Sequence, residues 1–303
     1  VRKRAWYNFR ELFSPLDLAT ISYILLSGIY ICFDTAGFKN MLPHFVIRIL
    51  VLALIISIAA LSRKFQSNKV LLFLRNLYPL LFLGFFYPET SCMKNIIFET
   101  NLDKYFFDAE QSLWNCQPSV EFSKTLNQGW FNELMNMCYF SYYIIIGLAC
   151  IVLYFNNTTQ SQKSIFIVIL SFYMYYLIFA VLPVVGPQYY ISDSTVEITP
   201  PHFFGKLMHW IITDIEQPTG AFPSSHVGIA VIIAYITYHH LRKLFFIILP
   251  FVLGICFATV YIKAHYLVDV IAGIISAPMF IVLSVKIYNK FLSWSNYYMY
   301  KKA

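Results

Sequence analysis

Two short polar clusters inside an apolar stretch carry the residues able to do chemistry. The first is Pro223-Ser224-Ser225-His226; the second runs from Lys263 through His265 to Asp269. His265 and Asp269 stand four apart at the start of an apolar run, so on a helix their side chains share one face. A carboxylate at that spacing can accept an imidazole N–H, fix the tautomer and leave the other ring nitrogen free to attack. Ser224, Ser225 and Gly228 lie where a helix begins, and the unpaired N–H groups of a helix N-terminus cradle anions, phosphate above all. Beside that cradle, His226 could protonate a leaving alcohol and later deprotonate an acceptor. The set suits phosphoryl transfer through a phosphohistidine, with no metal and no cofactor. The plainer alternative makes the histidines satisfied polar groups and the serines helix caps. Ionisable groups are costly in apolar surroundings and tend to be functional there, and two such clusters favour the catalytic reading.

The elements that must position these residues follow from length. Residues 222–240 and 244–262 are apolar segments separated by the polar break His239-His240-Leu241-Arg242-Lys243. As helices each rises roughly 28 Å, close to the hydrocarbon thickness of a bilayer. One crossing and one return bring His226 and His265 to the same membrane face.

Composition agrees. Of 303 residues, 59% are hydrophobic and 12% charged, about half the charged fraction of a soluble chain. The expected fold is all-α, a polytopic membrane helix bundle with about eight transmembrane helices: 16–33, 43–61, 70–87, 137–155, 165–182, 222–240, 244–262 and 266–288. A six-helix core carries the chemistry, with residues 1–136 as N-terminal spans plus a loop and 137–303 as the catalytic part. The net charge of +7 would suit nucleic acid in a soluble protein. Here Lys and Arg gather at helix ends, fourteen on one side of the alternation and six on the other. The side richer in Lys and Arg is read as cytoplasmic. Both termini then lie in the cytoplasm, and the histidine clusters face periplasm, lumen or exterior. Arg2, Lys3, Arg4 and Arg10 precede an apolar run with no small-residue cleavage site after it, so that run reads as a retained first span.

At Pro223-Ser224-Ser225-His226 and at His265 to Asp269 the chain resembles the type 2 phosphatidate phosphatase superfamily of membrane enzymes. Pro223 to His226 match its P-S-x-H motif, and His265 and Asp269 its H-x-x-x-D. The Arg that precedes this His by six positions in the family is Thr259 here. The family's Lys…Arg-Pro motif is missing, with Gly186-Pro187 at its place. With Gly220-Ala221-Phe222 leading into Pro223, these departures look closest to the inositol-phosphorylceramide synthase branch. The resemblance spans about 90 residues, Pro183 to Gly273. It implies a membrane enzyme that moves a phospho-head group between lipids through phospho-His265. In that scheme Asp269 orients the nucleophile, His226 acts as acid then base, and Ser224, Ser225 and Lys263 hold phosphate. The enzyme alternative is a lipid phosphate phosphatase, with water as acceptor; the non-enzyme alternative is a lipid transporter or degenerate relative. The expected partners are membrane lipids, with no nucleic acid and no obligate protein partner.

The remaining signals are weaker. Prolines and glycine from Pro183 to Pro187 break the preceding helix beside the histidines, and Gln188 and Tyr189 either line the substrate cleft or belong to a turn. His202 and His209 lack a carboxylate at helical spacing. Residues 88–136 form the largest loop, and 118–136 reads as one helix lying in the interface or capping the site, with a helix packed on the bundle as the plainer alternative. The acids Glu89, Glu99, Asp103, Asp108, Glu110, Glu121 and Glu133 either bind a polyol head group or form a solvated face. Cys92 and Cys116 are the one pair placed for an oxidising compartment. Lys263 and Arg48 are candidates to replace the missing Arg, although Arg48 also reads as snorkelling to head groups.

Overall fold

The structure is a computed structural model that describes residues 9–33, 38–156, 159–191 and 202–295. Among them every element is helical: α1 (Phe9–Leu12), α2 (Pro15–Ile31), α3 (Phe38–Lys64), α4 (Lys69–Met93), α5 (Asp103–Trp114), α6 (Pro118–Thr125), α7 (Gly129–Asn156), α8 (Thr159–Val181), α9 (Pro187–Tyr190), α10 (Phe203–Trp210) continued by a π-helical turn (Ile211–Ile215), α11 (Ser225–His240), α12 (Arg242–Tyr261) and α13 (Leu267–Ser295). Six helical stretches are long and apolar enough to cross a membrane: Leu42–Lys64, Lys69–Met93, Gly129–Asn156, Thr159–Val181, Arg242–Tyr261 and Leu267–Ser295. The other two segments expected to span form shorter helices, α2 and α11. The protein is an all-α multi-pass membrane protein. One expected helix differs: 118–136 breaks at 126–128, and residues from Gly129 onward open the long α7 instead. Leu126-Asn127-Gln128-Gly129 holds the turn-forming residues at which the chain leaves α6.

The chain forms two compact units, each discontinuous. One comprises residues 1–83, 150–173 and 281–303; the other comprises 84–149 and 174–280.

The first unit is organised around a buried carboxylate. Ser14 caps α2 by accepting the N–H of Asp17, and Asp17 reaches back to the Ser14 N–H at 2.8 Å, a reciprocal cap with Pro15 at the first helical position. Asp17 then pairs with Arg75 of α4 at 3.1 Å and accepts the Tyr78 hydroxyl at 3.0 Å. Arg75 also donates to the Leu12 carbonyl and to Ser62 of α3. Four helices are thus joined by one charged group in an apolar interior. Tyr23 stacks on Tyr173 with ring centroids 4.6 Å apart, and Thr20 shares a hydrogen bond with the Tyr173 hydroxyl. Arg48, a candidate phosphate cation, is buried here and donates to Ser27 and to the His44 carbonyl.

The second unit holds the α11–α12 hairpin, joined at Leu241. Where α11 approaches α8 and α13 there is no room for side chains: a Cβ at Gly228 would overlap the Tyr175 hydroxyl, and one at Gly273 would lie 2.6 Å from the Ser224 carbonyl. Small residues at such crossings let backbones meet closely inside a membrane. Ser224 N–H donates to the Asp269 carbonyl at 3.0 Å, tying the start of α11 to the first turn of α13. Cys92 and Cys116 are both free thiols.

Removing the Asp17 carboxylate strands the buried Arg75 charge. Asp17→Ala should therefore cost about 3–5 kcal/mol of stability, read as a fall in the unfolding midpoint of the purified protein in detergent.

Candidate active site

The hairpin carries out the positioning that its length implies. His226 is the second residue of α11, and His265 lies in the turn between α12 and α13; His226 Nδ1 and His265 Nε2 are 3.2 Å apart. Helix α12 ends at Tyr261, and Lys263 takes a left-handed conformation, φ 63°, unusual for a residue with a Cβ. The chain then turns so that the His265 N–H meets the Thr259 carbonyl at 3.0 Å. Thr259, at the position of the absent Arg, is fully buried with its hydroxyl bonded back to the Cys256 carbonyl.

The tautomer follows from the hydrogen bonds. His265 Nδ1 lies 2.7 Å from the Ala221 carbonyl, which can only accept. The Nδ1 must therefore carry the proton, leaving at Nε2 an unprotonated lone pair that accepts from His226 Nδ1 between the rings. The sequence assigns the orienting bond to Asp269. The nearest Asp269 oxygen is 3.5 Å from His265 Nδ1 and instead accepts the Tyr266 N–H at 2.8 Å. Asp269 thus shapes the turn beside the ring, while Ala221 takes the closer hydrogen bond. Burial pushes the His265 imidazole down to about 4, with the Ala221 bond and the Glu216 charge opposing it.

The phosphate-cradle candidates separate. Ser224 caps α11 through its side chain, accepting the Val227 N–H at 3.3 Å. The N–H groups of Ser225 and His226 meet no acceptor among the described residues and remain open at the helix start. The Ser225 hydroxyl pairs with Tyr142. Gly228 donates its N–H to the Ser224 carbonyl inside the helix, and its task is the close crossing with Tyr175. Lys263 is buried; desolvation pushes its ammonium down, helped by the charge of Lys124, and it does not line the cavity at the histidines.

That cavity, about 10 Å³ and so large enough for a single water, is lined by both histidines, by Gln188 and Tyr189, and by residues sequence reasoning passed over. Glu216 is the chief of these, accepting the Tyr143 hydroxyl at 2.8 Å and that of Tyr139 at 3.4 Å. Burial raises its carboxyl above the usual range. The ring of His226 is held against Tyr139 and Tyr142, with centroids at 4.7 and 4.3 Å. Tyr139, Tyr142 and Tyr143 stand at helical spacing on α7, a signal open to a sequence reader; Glu216, in an irregular loop, offered none. His202 and His209 do not line the cavity.

Helix α5 locks the flank. Asp103 accepts the Val185 and Gly186 N–H groups at 3.0 and 2.9 Å, and the Tyr266 hydroxyl at 3.3 Å. Glu110 accepts the Val268 N–H, and burial raises its carboxyl to about 7. Glu133 accepts two N–H groups at the start of α10. These acids of the large loop are therefore spent on backbone rather than on a head group. Gly186, at φ 94°, passes so close to the Ala264 carbonyl that a Cβ would lie 2.5 Å from it. Among the described residues no group of three or more His, Cys, Asp or Glu is arranged to hold a metal ion.

A multi-pass helical protein with two facing histidines at a helix start and a carboxylate four residues after the second defines a class of membrane phosphate-handling proteins. Comparison with known families matches residues 105–283 to the PAP2 superfamily, more than half of the chain, and the protein belongs to it. No curated protein and no solved structure matches. Membership makes a lipid phosphatase or phosphotransferase type of function the general expectation.

Because His265 is neutral until the pH falls through about 4, a His265 that serves as the nucleophile, the role proposed below, should keep attacking well below the ordinary imidazole value of about 6.5. Phosphoenzyme formation from a diester with an activated leaving group, which needs no proton from His226, should show its acid limb near 4. A limb near 6.5 would contradict the buried, carbonyl-bonded state. Since Ala221 takes the closer bond, Asp269→Asn should slow this step by about 10–100-fold, whereas His265→Ala should leave no phosphoenzyme.

Proposed function

We propose that the protein transfers a phospho-head group from a phosphodiester lipid to a lipid hydroxyl, in the manner of the inositol-phosphorylceramide synthase branch. The observation that carries this is the charge of the cavity. Among the described residues its lining contains no Lys or Arg and does contain the carboxylate of Glu216. A phosphate monoester is a dianion near neutrality and needs cations for its transition state. A diester carries one negative charge, which the open N–H groups at the start of α11 suit.

The steps balance with the residues present. The His265 Nε2 lone pair attacks phosphorus, the bond to the leaving lipid oxygen breaks, and that oxygen takes a proton from protonated His226. The head group then rests on His265 through an N–P bond. An acceptor hydroxyl attacks, His226 takes its proton, and the N–P bond breaks. His226 ends as it began. An acceptor bound beside phosphorus has an effective molarity on the order of 10⁵ M or more, which lets transfer outrun hydrolysis. The orientation proposed from Lys and Arg puts this site on the non-cytoplasmic face, with both termini in the cytoplasm.

The test is the product. Purified protein in lipid should make a new phospholipid from a diester donor plus a ceramide-like or diacylglycerol acceptor, and should release little inorganic phosphate from phosphatidate. His226→Ala should lower turnover with a natural donor by about 10²–10⁴-fold. Rapid phosphatidate hydrolysis with no acceptor-dependent lipid would make the protein a phosphatase.

A further inference from the structure

Glu216 is a carboxylate that the transfer scheme leaves unused, although it lines the cavity with both histidines. Its Oε1 accepts the Tyr143 and Tyr139 hydroxyls. Its Oε2 accepts from no described residue. Tyr139 also packs on the His226 ring, so the carboxylate is held by the same aromatic wall as the acid–base group. With no Lys or Arg in the lining, Glu216 is not half of an ion pair across the cavity.

The chemistry of the free oxygen narrows what it faces. A carboxylate only accepts hydrogen bonds, and a phosphodiester anion has none to donate and repels it. The attacking hydroxyl is not its partner, because that group has one proton and His226 takes it as the O–P bond forms. The leaving oxygen likewise receives its proton from His226. Apart from a water, which the cavity can hold and a bound substrate would displace, what remains is a donor on the substrate that takes no part in bond making.

We propose that Glu216 is a recognition residue for a non-reacting hydroxyl of the substrate, so that the lipids used here carry such a hydroxyl beside the reacting centre. This rests on the transfer reading above and narrows its substrate class. The hydroxyl belongs either to the head group that travels with phosphorus or to the acceptor next to the attacking one. In both cases Glu216 neither gains nor loses a proton, and the bonds made and broken are those already given. A site built to bind a hydroxyl discriminates strongly against the analogue that lacks it, since its own polar group is left unpaired.

The experiment has two arms, using the full chain in lipid nanodiscs. The donor arm compares phosphoenzyme formation from phosphatidylinositol or phosphatidylglycerol with that from phosphatidylcholine or phosphatidylethanolamine. The acceptor arm holds the donor constant and compares ceramide with 3-deoxyceramide, which lacks the second hydroxyl. The wild type should favour the hydroxyl-bearing lipid by about 10²-fold or more in one arm, which also identifies the source of the hydroxyl. Glu216→Ala should reduce that preference to about threefold or less. Glu216→Gln keeps the shape and one accepting oxygen without the charge, and should lose about tenfold of it; an unchanged preference in that variant overturns the proposal even where the Ala variant does not fold. Equal use of both lipids in both arms by the wild type overturns it too. So does a preference for ammonium head groups that disappears in Glu216→Ala, which would assign the carboxylate to a cation. A wild type that makes no acceptor-dependent lipid and hydrolyses phosphatidate ends the transfer reading itself; a transferase with no hydroxyl preference ends this assignment alone.

Discussion

The hydrogen bond from His265 Nδ1 to the Ala221 carbonyl, 2.7 Å long, sets the condition for everything the site can do. It decides which ring nitrogen keeps the proton, and so which one carries the lone pair facing His226. It also depends on backbone alone at the accepting end. The position of that carbonyl is fixed by the Ala221 N–H donating to Val184 and by the α11 cap that follows at Ser224. Two chain segments far apart in sequence must therefore be held to within a few tenths of an ångström for the nucleophile to exist in the right tautomer.

The surrounding structure is arranged to that end. The Gly228 and Gly273 crossings bring α11, α8 and α13 into backbone contact. Asp103 and Glu110, seven residues apart on α5, grip the Val185-Gly186 turn and the start of α13. Phe106 packs against Phe222 and Tyr266, with centroids at 4.8 and 5.9 Å, so an extramembrane helix covers the segments on either side of the histidines. Buried carboxylates cost less when they accept from backbone N–H groups that would otherwise be orphaned, and Asp103, Glu110 and Glu133 are each placed to do so.

Electrostatics carry the proposed selectivity. Phosphate chemistry commonly relies on Arg and Lys, and here the position expected to hold Arg is a buried Thr259 bonded to its own helix. In the proposed reading the anion is met by two helix-start N–H groups and the histidines, with Glu216 setting a negative limit on what else enters. That reading disfavours a doubly charged monoester and favours a singly charged diester.

Sequence alone determined the chemistry-bearing pair and the elements that unite it. Span length, the polar break at 239–243 and the placement of His226 and His265 at opposite ends of the pair required the two rings to meet on one face, because a helix rises by a constant amount per residue. The i, i+4 placement of Asp269 was equally legible. Tertiary structure alone decided that the closest partner of His265 is a carbonyl, because every residue carries one and composition does not mark it. The same holds for Lys263 lying outside the cavity lining, for Gly228 serving a helix crossing, and for α5 covering the flank. Glu216 belongs to this group as well: an acid in an irregular loop has no period to betray its direction, and only the folding of that loop against Tyr139 and Tyr143 brings it to the histidines.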